Sequence, residues 1–191
     1  MDAMREPGQV LSELRRAASG GMGAVVDQLC SELDMCMTTN WDSVPDAFLS
    51  DICSLFGDES FLKVGESWKL AHVVNQQWDL LSGQQRVAIF DVFVNAFDRF
   101  ADWMGAFVVS EIIGGRYASE SGLAALERLA RTVSVPHRRL VPHGIEWLGR
   151  ATDSQVLRGK ASDALRRLIL DPDLEVRREA SLSLAKLDTA G

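Results

Sequence analysis

Apolar residues recur at helical spacing along most of the chain, and no segment alternates apolar and polar residues as a half-buried strand does. The pattern predicts helices over residues 10–18, 25–37, 44–56, 60–81, 84–100 and 102–113, followed by further helices in the last third. Breaks are predicted at Ser19-Gly20-Gly21, at residues 40–43, at Gly57 and at Gly114-Gly115. The sequence therefore predicts an all-α protein of about nine or ten helices.

Two helix starts in the first half carry capping signals. Ser43 is placed to cap the helix over 44–56, and Ser82 with Gln85 resembles a capping box for the helix over 84–100. That helix, residues 84–100, is apolar on nearly every side. We therefore expect it to be the most buried element of the fold.

The clearest pattern is the stretch DPDLEVRREASLSLAKL, residues 171–187. Pro172 cannot extend a preceding helix, and Asp173 is a good cap for the helix that follows. The segment before it, ASDALRRLIL, is a second amphipathic helix. Four apolar residues of the final helix share one face: Val176, Ala180, Leu184 and Leu187.

The last third also contains an internal repeat with a period of 39 residues. It is visible when the sequence is aligned with itself so that Arg138 lies opposite Arg177. Apolar, capping and arginine positions then agree across two helices, although Val133 falls on Pro172 and Leu140 on Glu179. The agreeing pairs are Leu126 with Leu165, Arg128 with Arg167, Leu129 with Leu168, Ser134 with Asp173, Arg139 with Arg178, Ile145 with Leu184, and Leu148 with Leu187.

With its Asp-Pro turn, Val-Arg pair and small-residue helix, the stretch over 171–187 resembles a HEAT-type repeat, and the similarity extends over residues 119–187. The resemblance implies a right-handed α-solenoid of helical hairpins at the C-terminus, after a helical bundle or divergent repeats. It also implies structural roles in the inter-repeat turns for Asp171, Asp173 and Arg177, and a weaker one for Arg138, where His137 replaces the valine.

The same register places Pro142 inside a helix, where we expect it to kink that helix or restart it. The chain then divides into a short helix and flexible joint over 1–21, a helical region over 22–116 and the repeat region over 117–191, together in one compact domain.

Charge is unevenly distributed along the chain, with −8 over residues 1–82, −2 over 83–115 and +3 over 116–191. The first residues lack a secretory signal, and no apolar run approaches the roughly 18 residues of a membrane span. Cys30, Cys36 and Cys53 are odd in number and lack ligand-like spacing, so we expect reduced thiols packed as small hydrophobes. These features favour a cytoplasmic protein.

Little in the sequence points to catalysis. His72 stands alone, and His137 and His143 are six residues apart, on different faces of a straight helix. The glycine cluster at residues 20–23 follows no predicted strand, so it does not resemble a phosphate loop. We therefore expect no enzyme activity, no metal and no cofactor.

Two segments are candidate binding sites. In EIIGGRY, paired glycines leave Glu111, Arg116 and Tyr117 at a bend; the alternative is a plain helix–helix turn. In VPHGIEW, a kink is flanked by three further candidates, and the alternative is a core tryptophan beside a restarted helix. Those candidates are His143, Glu146 and Trp147.

The five tryptophans are expected mostly in the core, so that a single exposed one would mark a contact surface. They are Trp41, Trp68, Trp78, Trp103 and Trp147.

The function favoured is protein recognition, because stacked helix pairs make long curved surfaces. The acidic segment over residues 1–82 would attract a basic partner; the alternative is that its charge only keeps the protein soluble. In architecture and charge, the chain is similar to bacterial immunity proteins that neutralise toxins. The acidic residues are Asp27, Glu32, Asp34, Asp42, Asp46, Asp51, Asp58 and Glu59. The alternative is nucleic-acid binding through Arg128, Arg131, Arg138, Arg139, Arg166, Arg167, Arg177 and Arg178.

Overall fold

The computed structural model describes residues 6–131 and 134–189, and over those ranges the chain is helical without any strand. The prediction of an all-α protein is confirmed. The helices are α1 (Pro7–Ser19), α2 (Gly23–Asn40), α3 (Asp46–Gly57), α4 (Glu59–Leu62), α5 (Trp68–Gln76), α6 (Gly83–Ala96), α7 (Trp103–Glu111), α8 (Glu120–Leu129), α9 (Val135–Arg138), α10 (Val141–Ala151), α11 (Gln155–Leu168) and α12 (Leu174–Thr189).

The chain forms two compact units, unit 1 over Met1–Gly105 and unit 2 over Ala106–Gly191. The division falls inside α7, and the boundary predicted between residues 116 and 117 lies within unit 2. Each unit has its own buried apolar side chains, such as Phe93 in unit 1 and Leu165 in unit 2.

Unit 1 is built from α1 packed on α2, α2 on α5, and α3 on α6. Its core contains a group of phenylalanines that meet edge to face around Phe56, an arrangement aromatic rings prefer. The centroid of the Phe56 ring lies 5.9 Å from that of Phe61, 5.0 Å from that of Phe93 and 6.2 Å from that of Phe100. The break after α1 is a tight turn in which Gly21 has a φ of 65°, which suits glycine.

The start of α6 is the predicted capping box, because the Ser82 hydroxyl accepts from the backbone of Gln85 and the Gln85 side chain accepts from the backbone of Ser82. The Gln85 amide also donates to Val44 O and to Asp46 Oδ1, both at 2.7 Å. The expectation that α6 is the most buried helix is wrong: six of its 14 residues are buried, against seven of the 11 residues of α10, and Val87 is 50% exposed. One face of α6 is open to solvent.

Two predictions for unit 1 are corrected. Residues 60–81 are not one helix: α4 ends at Leu62, and 3₁₀ turns at Gly65–Ser67 and Trp78–Leu80 flank α5. The carbonyl of Leu62 accepts from the Ala101 backbone at 2.9 Å, so a tertiary bond replaces helix continuation there. Ser43 does not cap α3, whose N-cap position is Pro45 in an extended conformation.

In unit 2, α10 is the central helix and packs against α8, α11 and α12. Helix α11 packs against α12, and α8 also contacts α11. The prediction for Pro142 is confirmed, because α9 ends at Arg138 and α10 starts anew with Pro142 in its first turn. Asp173 caps α12 as predicted, its Oδ1 accepting from the backbone of Glu175 at 3.0 Å and of Val176 at 3.1 Å.

Candidate functional site

The two candidate segments, EIIGGRY and VPHGIEW, meet in unit 2. The expectation that α7 ends at Gly114-Gly115 is wrong, since the chain continues through a π-helical turn over Ile112–Arg116. This turn packs against α10. A Cβ on Gly114 would lie 2.1 Å from the carbonyl oxygen of Gly144, so the two backbones touch because neither position has a side chain.

Three aromatic side chains lie together at this contact, and we call Phe107, His143 and Trp147 the aromatic patch. The rings of Phe107 and His143 are stacked, with centroids 4.7 Å apart and planes 17° apart. The indole of Trp147 meets the imidazole edge to face at 5.8 Å. Trp147 is 38% exposed, so the patch opens to solvent.

The tryptophan of the patch is held by the histidine one turn before it. Trp147 Nε1–H donates to His143 Nε2 at 2.9 Å. The ring of Trp147 also lies over the π turn, because a Cβ on Gly115 would be 3.3 Å from it. The indole is therefore exposed to solvent and positioned at the same time.

Beneath the patch lies a buried carboxylate, Glu146, with 1% of its surface exposed. Its Oε1 accepts from Arg150 Nη1 at 3.1 Å, and its Oε2 lies 3.6 Å from Lys186 Nζ and 3.8 Å from His143 Nδ1. Two cations offset the cost of burying this charge. Glu146 thereby ties α10 to α12 through Lys186.

Burial lowers the pKa of His143 below its usual value, and the positive charge of Lys186 acts in the same direction. The carboxylate of Glu146 opposes them but does not prevail. The imidazole of the patch is therefore neutral at pH 7.

The other predicted residues of EIIGGRY lie around the π turn: Glu111 and Tyr117 are half-buried and Arg116 is exposed. The Tyr117 carbonyl accepts from the hydroxyl of Ser119 at 3.2 Å, and Ser119 in turn caps α8. The segment is thus a connection between α7 and α8 as well as the support of the aromatic patch.

The predicted repeat positions lie at the turn between α11 and α12. Arg138 Nη2 donates to Asp171 Oδ1 at 3.2 Å, which links α9 to that turn. Arg177 Nη1 donates to the carbonyl oxygens of Asp171 and Pro172, each at 2.8 Å. Both guanidinium groups therefore bond the Asp-Pro turn.

The remaining candidates for chemistry are engaged elsewhere or isolated. His137 Nδ1 lies 2.6 Å from the hydroxyl of Ser134, and His72 is exposed beside Gln76. Within residues 6–131 and 134–189, no group of three His, Cys, Asp or Glu side chains is placed to hold a metal ion. The helices described there include none with the length and apolarity needed to cross a membrane.

A shallow groove of about 210 Å³ runs between α8 and α11, with Ala130, Ala164 and Leu168 in its lining. Two ion pairs bridge the same two helices, Lys160 Nζ to Glu120 at 2.7 Å and Arg167 to Glu127. The groove is thus spanned by side chains of the protein itself, which distinguishes it from the open aromatic patch.

Several of the acidic residues and arginines predicted to bind a protein or nucleic-acid partner already pair with other side chains of this protein. In unit 2, Arg166 pairs with Asp163 at 2.8 Å and Arg178 lies 3.9 Å from Glu175. In unit 1 several acids have partners as well, which reduces the charge they offer to another molecule. Asp27 pairs with Lys69, Asp34 and Asp46 accept from Gln77 and Gln85, and Asp58 caps α4.

Sequence reasoning missed Phe107 and misplaced most tryptophans. Of the five, Trp78 is buried, Trp41 and Trp68 are half-buried, and Trp103 and Trp147 are exposed, so the expectation of a tryptophan core is wrong. The only sequence signal for Phe107 was its place in the helix that leads into EIIGGRY. A comparison of the chain with protein-family models, curated proteins and solved structures found no match.

Proposed function

We propose that this chain is a non-enzymatic interaction module that binds a partner protein through the aromatic patch of unit 2. The observation that carries the proposal is Trp147, which is 38% exposed yet fixed by a hydrogen bond and by the π turn. A fixed aromatic side chain loses little conformational freedom on binding, so its buried area contributes fully to affinity. A π-helical turn beside it is a common mark of functional sites.

The repeat architecture supports the same function. In our proposal, α8 with α10 and α11 with α12 are two HEAT-like units of a short α-solenoid, since α10 packs on α12 and α8 on α11 in matching order. The bond from Arg138 to the Asp171 turn is the kind of link between neighbouring units that the resemblance implies. Such arrays present surfaces suited to protein partners.

The proposed partner is basic, because the chain as a whole carries a net charge of −7, with −8 over residues 1–82 and +3 over residues 116–191, and this overall field attracts a cationic protein. Within unit 1, Asp42 and Asp51 are exposed and add to that field. An inhibitor or immunity-type role is consistent with this charge. Nucleic acid is the less favoured partner, because four of the eight arginines named for it contact carboxylates in unit 2: Arg138, Arg166, Arg167 and Arg178.

The test is capture of a partner from native lysate by the immobilised full chain, compared across three alanine variants. Trp147→Ala should lower the affinity of the captured protein about tenfold or more, as loss of a tryptophan anchor does. Val156→Ala and Leu170→Ala are the controls, since these apolar side chains of unit 2 are 68% and 82% exposed and are not part of the patch. Equal capture by all variants would refute the aromatic patch as the binding surface.

A further inference from the structure

The hydrogen bond between Trp147 and His143 can exist in only one protonation state of the histidine. An indole N–H has a proton to give and no lone pair to accept with. Because Trp147 Nε1 donates to His143 Nε2 at 2.9 Å, Nε2 must carry a lone pair. The single ring proton then sits on Nδ1, which faces Glu146 Oε2 at 3.8 Å.

We infer that His143 is a proton-operated latch for Trp147: the neutral ring holds the indole in the aromatic patch, and the protonated ring releases it. A proton on Nε2 would meet the indole N–H head-on, with two donors and no acceptor between them. The bond must then break, and the indole of Trp147, already 38% exposed, turns towards solvent. This inference rests on the proposed function only for its biological use, namely that binding through Trp147 weakens in acid.

The charged groups around His143 come from several elements and decide when the latch opens. On α10, Glu146 favours the protonated ring; on α12, Lys186 opposes it. Helix α7 contributes the uncharged face of Phe107, with Glu111 one turn further on, and the π turn contributes the exposed Arg116. On α11, Arg158 is held at the far end of α10 by the carbonyl oxygens of Gly149 and Thr152.

Burial lowers the pKa of His143, so the closed latch is the state at neutral pH. Release requires acidification below the usual imidazole range, which is centred near pH ~6.5. The proton that opens the latch is added at Nε2, while Nδ1 keeps the proton it already carries in the neutral ring. Glu146 then stabilises the positive charge of the whole imidazolium, because its Oε2 lies 3.8 Å from Nδ1.

The experiment is an NMR titration of the full chain, in which the indole N–H signal of Trp147 is identified by its loss in Trp147→Phe. We expect this signal to shift with the same midpoint as the ring protons of His143, below pH ~6.5. About nine tenths of the population should be released one pH unit below that midpoint. The indole signals of Trp41 and Trp78 serve as internal controls; Trp68 is left out because its ring meets that of His72 edge to face at 6.2 Å.

Two variants separate the latch from general acid effects. His143→Gln keeps an oxygen acceptor that does not titrate, so the Trp147 signal should stay constant with pH; His143→Phe should give the released signal at every pH. The inference would be overturned if the Trp147 signal did not change as His143 is protonated, or if it shifted in His143→Gln as much as in the wild type. The result of the titration does not depend on the proposed function, because no partner protein is present in the sample. The proposed function is tested separately and would be refuted if Trp147→Ala left the capture of a partner unchanged.

Discussion

Single residues decide how closely the π turn approaches α10. A Cβ on Gly114 would lie 2.1 Å from the carbonyl oxygen of Gly144, and a Cβ on Gly144 would lie 2.8 Å from that of Ser110. These distances are to backbone atoms, which cannot rotate away as a side chain can. The two glycines are therefore what allows the aromatic patch to form.

Gly114→Ala should destabilise the protein by about 2 kcal/mol, because the new methyl group must push two backbones apart. Gly115→Ala is the matched control: its Cβ would be 3.3 Å from the ring of Trp147, which can shift slightly. Urea denaturation followed by circular dichroism measures the difference as a lower midpoint for Gly114→Ala. Similar midpoints would show that the close approach is not required.

His143 makes stability depend on pH. Its pKa is lowered in the folded protein, so the unfolded chain binds the proton more readily over the range between the two pKa values. Stability contributed by the neutral ring is complete above about pH 6.5, the unfolded value, and is lost as the pH falls towards the folded value. Denaturation midpoints of wild type and His143→Gln, measured from pH 8 to 5, should diverge below about pH 6.5; parallel curves would contradict this.

The cysteines should differ in reactivity. Burial raises the pKa of the Cys30 thiol to about 12, with Asp27 adding to the shift and Lys69 opposing it. Burial also raises the pKa of Cys53, but this thiol is half-buried. In native protein at pH 8, iodoacetamide labelling read by mass spectrometry should modify Cys53 before Cys30 and before the buried Cys36. Prior labelling of Cys30 would mean that α2 opens readily.

At the scale of helices, two of the capping signals in the sequence are present in the structure, whereas Ser43 does not cap α3. The Ser82–Gln85 box and the Asp173 cap act within four residues, so they are readable from the chain and are present in the structure. The breaks inside 60–81 and the π turn depend on distant partners, the Ala101 amide and the Gly144 backbone. Contacts between residues far apart in the sequence leave no periodic signal. Helical spacing alone therefore predicted one continuous helix over residues 60–81 and a helix that ends at Gly114-Gly115.

The link between α9 and the α11–α12 turn should be one of the more costly ion pairs to break. The side chains of Arg138 and Asp171 are only 15% and 10% exposed, so Arg138→Met leaves a carboxylate with little water; we expect a loss of about 2 kcal/mol. Arg166→Met removes a pair whose side chains are 59% and 62% exposed, and should cost well under about 1 kcal/mol. Equal denaturation midpoints for the two variants would argue against a structural role for Arg138.

At the scale of the whole chain, the candidate site was predicted in two pieces. EIIGGRY and VPHGIEW were chosen for separate reasons, a glycine bend and a proline kink, and they are joined only by packing between the π turn and α10. Residue type identified Trp147 as a possible anchor, but its exposure depends on the neighbours of α10. The charge distribution, by contrast, is fixed by sequence, and it leads to a prediction that separates the two partner classes.

Nucleic-acid binding should be weak despite the 13 lysines and arginines of residues 116–191. Ten acidic residues lie in the same range, and at least five of the arginines and two of the lysines contact them in the described part of the chain, so fewer cations remain to release counterions from phosphate. Fluorescence anisotropy with labelled duplex DNA should show no saturable binding at ~0.15 M salt, and any signal at low salt should vanish steeply as salt is added. The exposed Arg128 and Arg131 provide the control, because Arg128→Glu with Arg131→Glu should change nothing at the higher salt. Saturable binding there, abolished by that double variant, would replace the protein-recognition proposal with a nucleic-acid one.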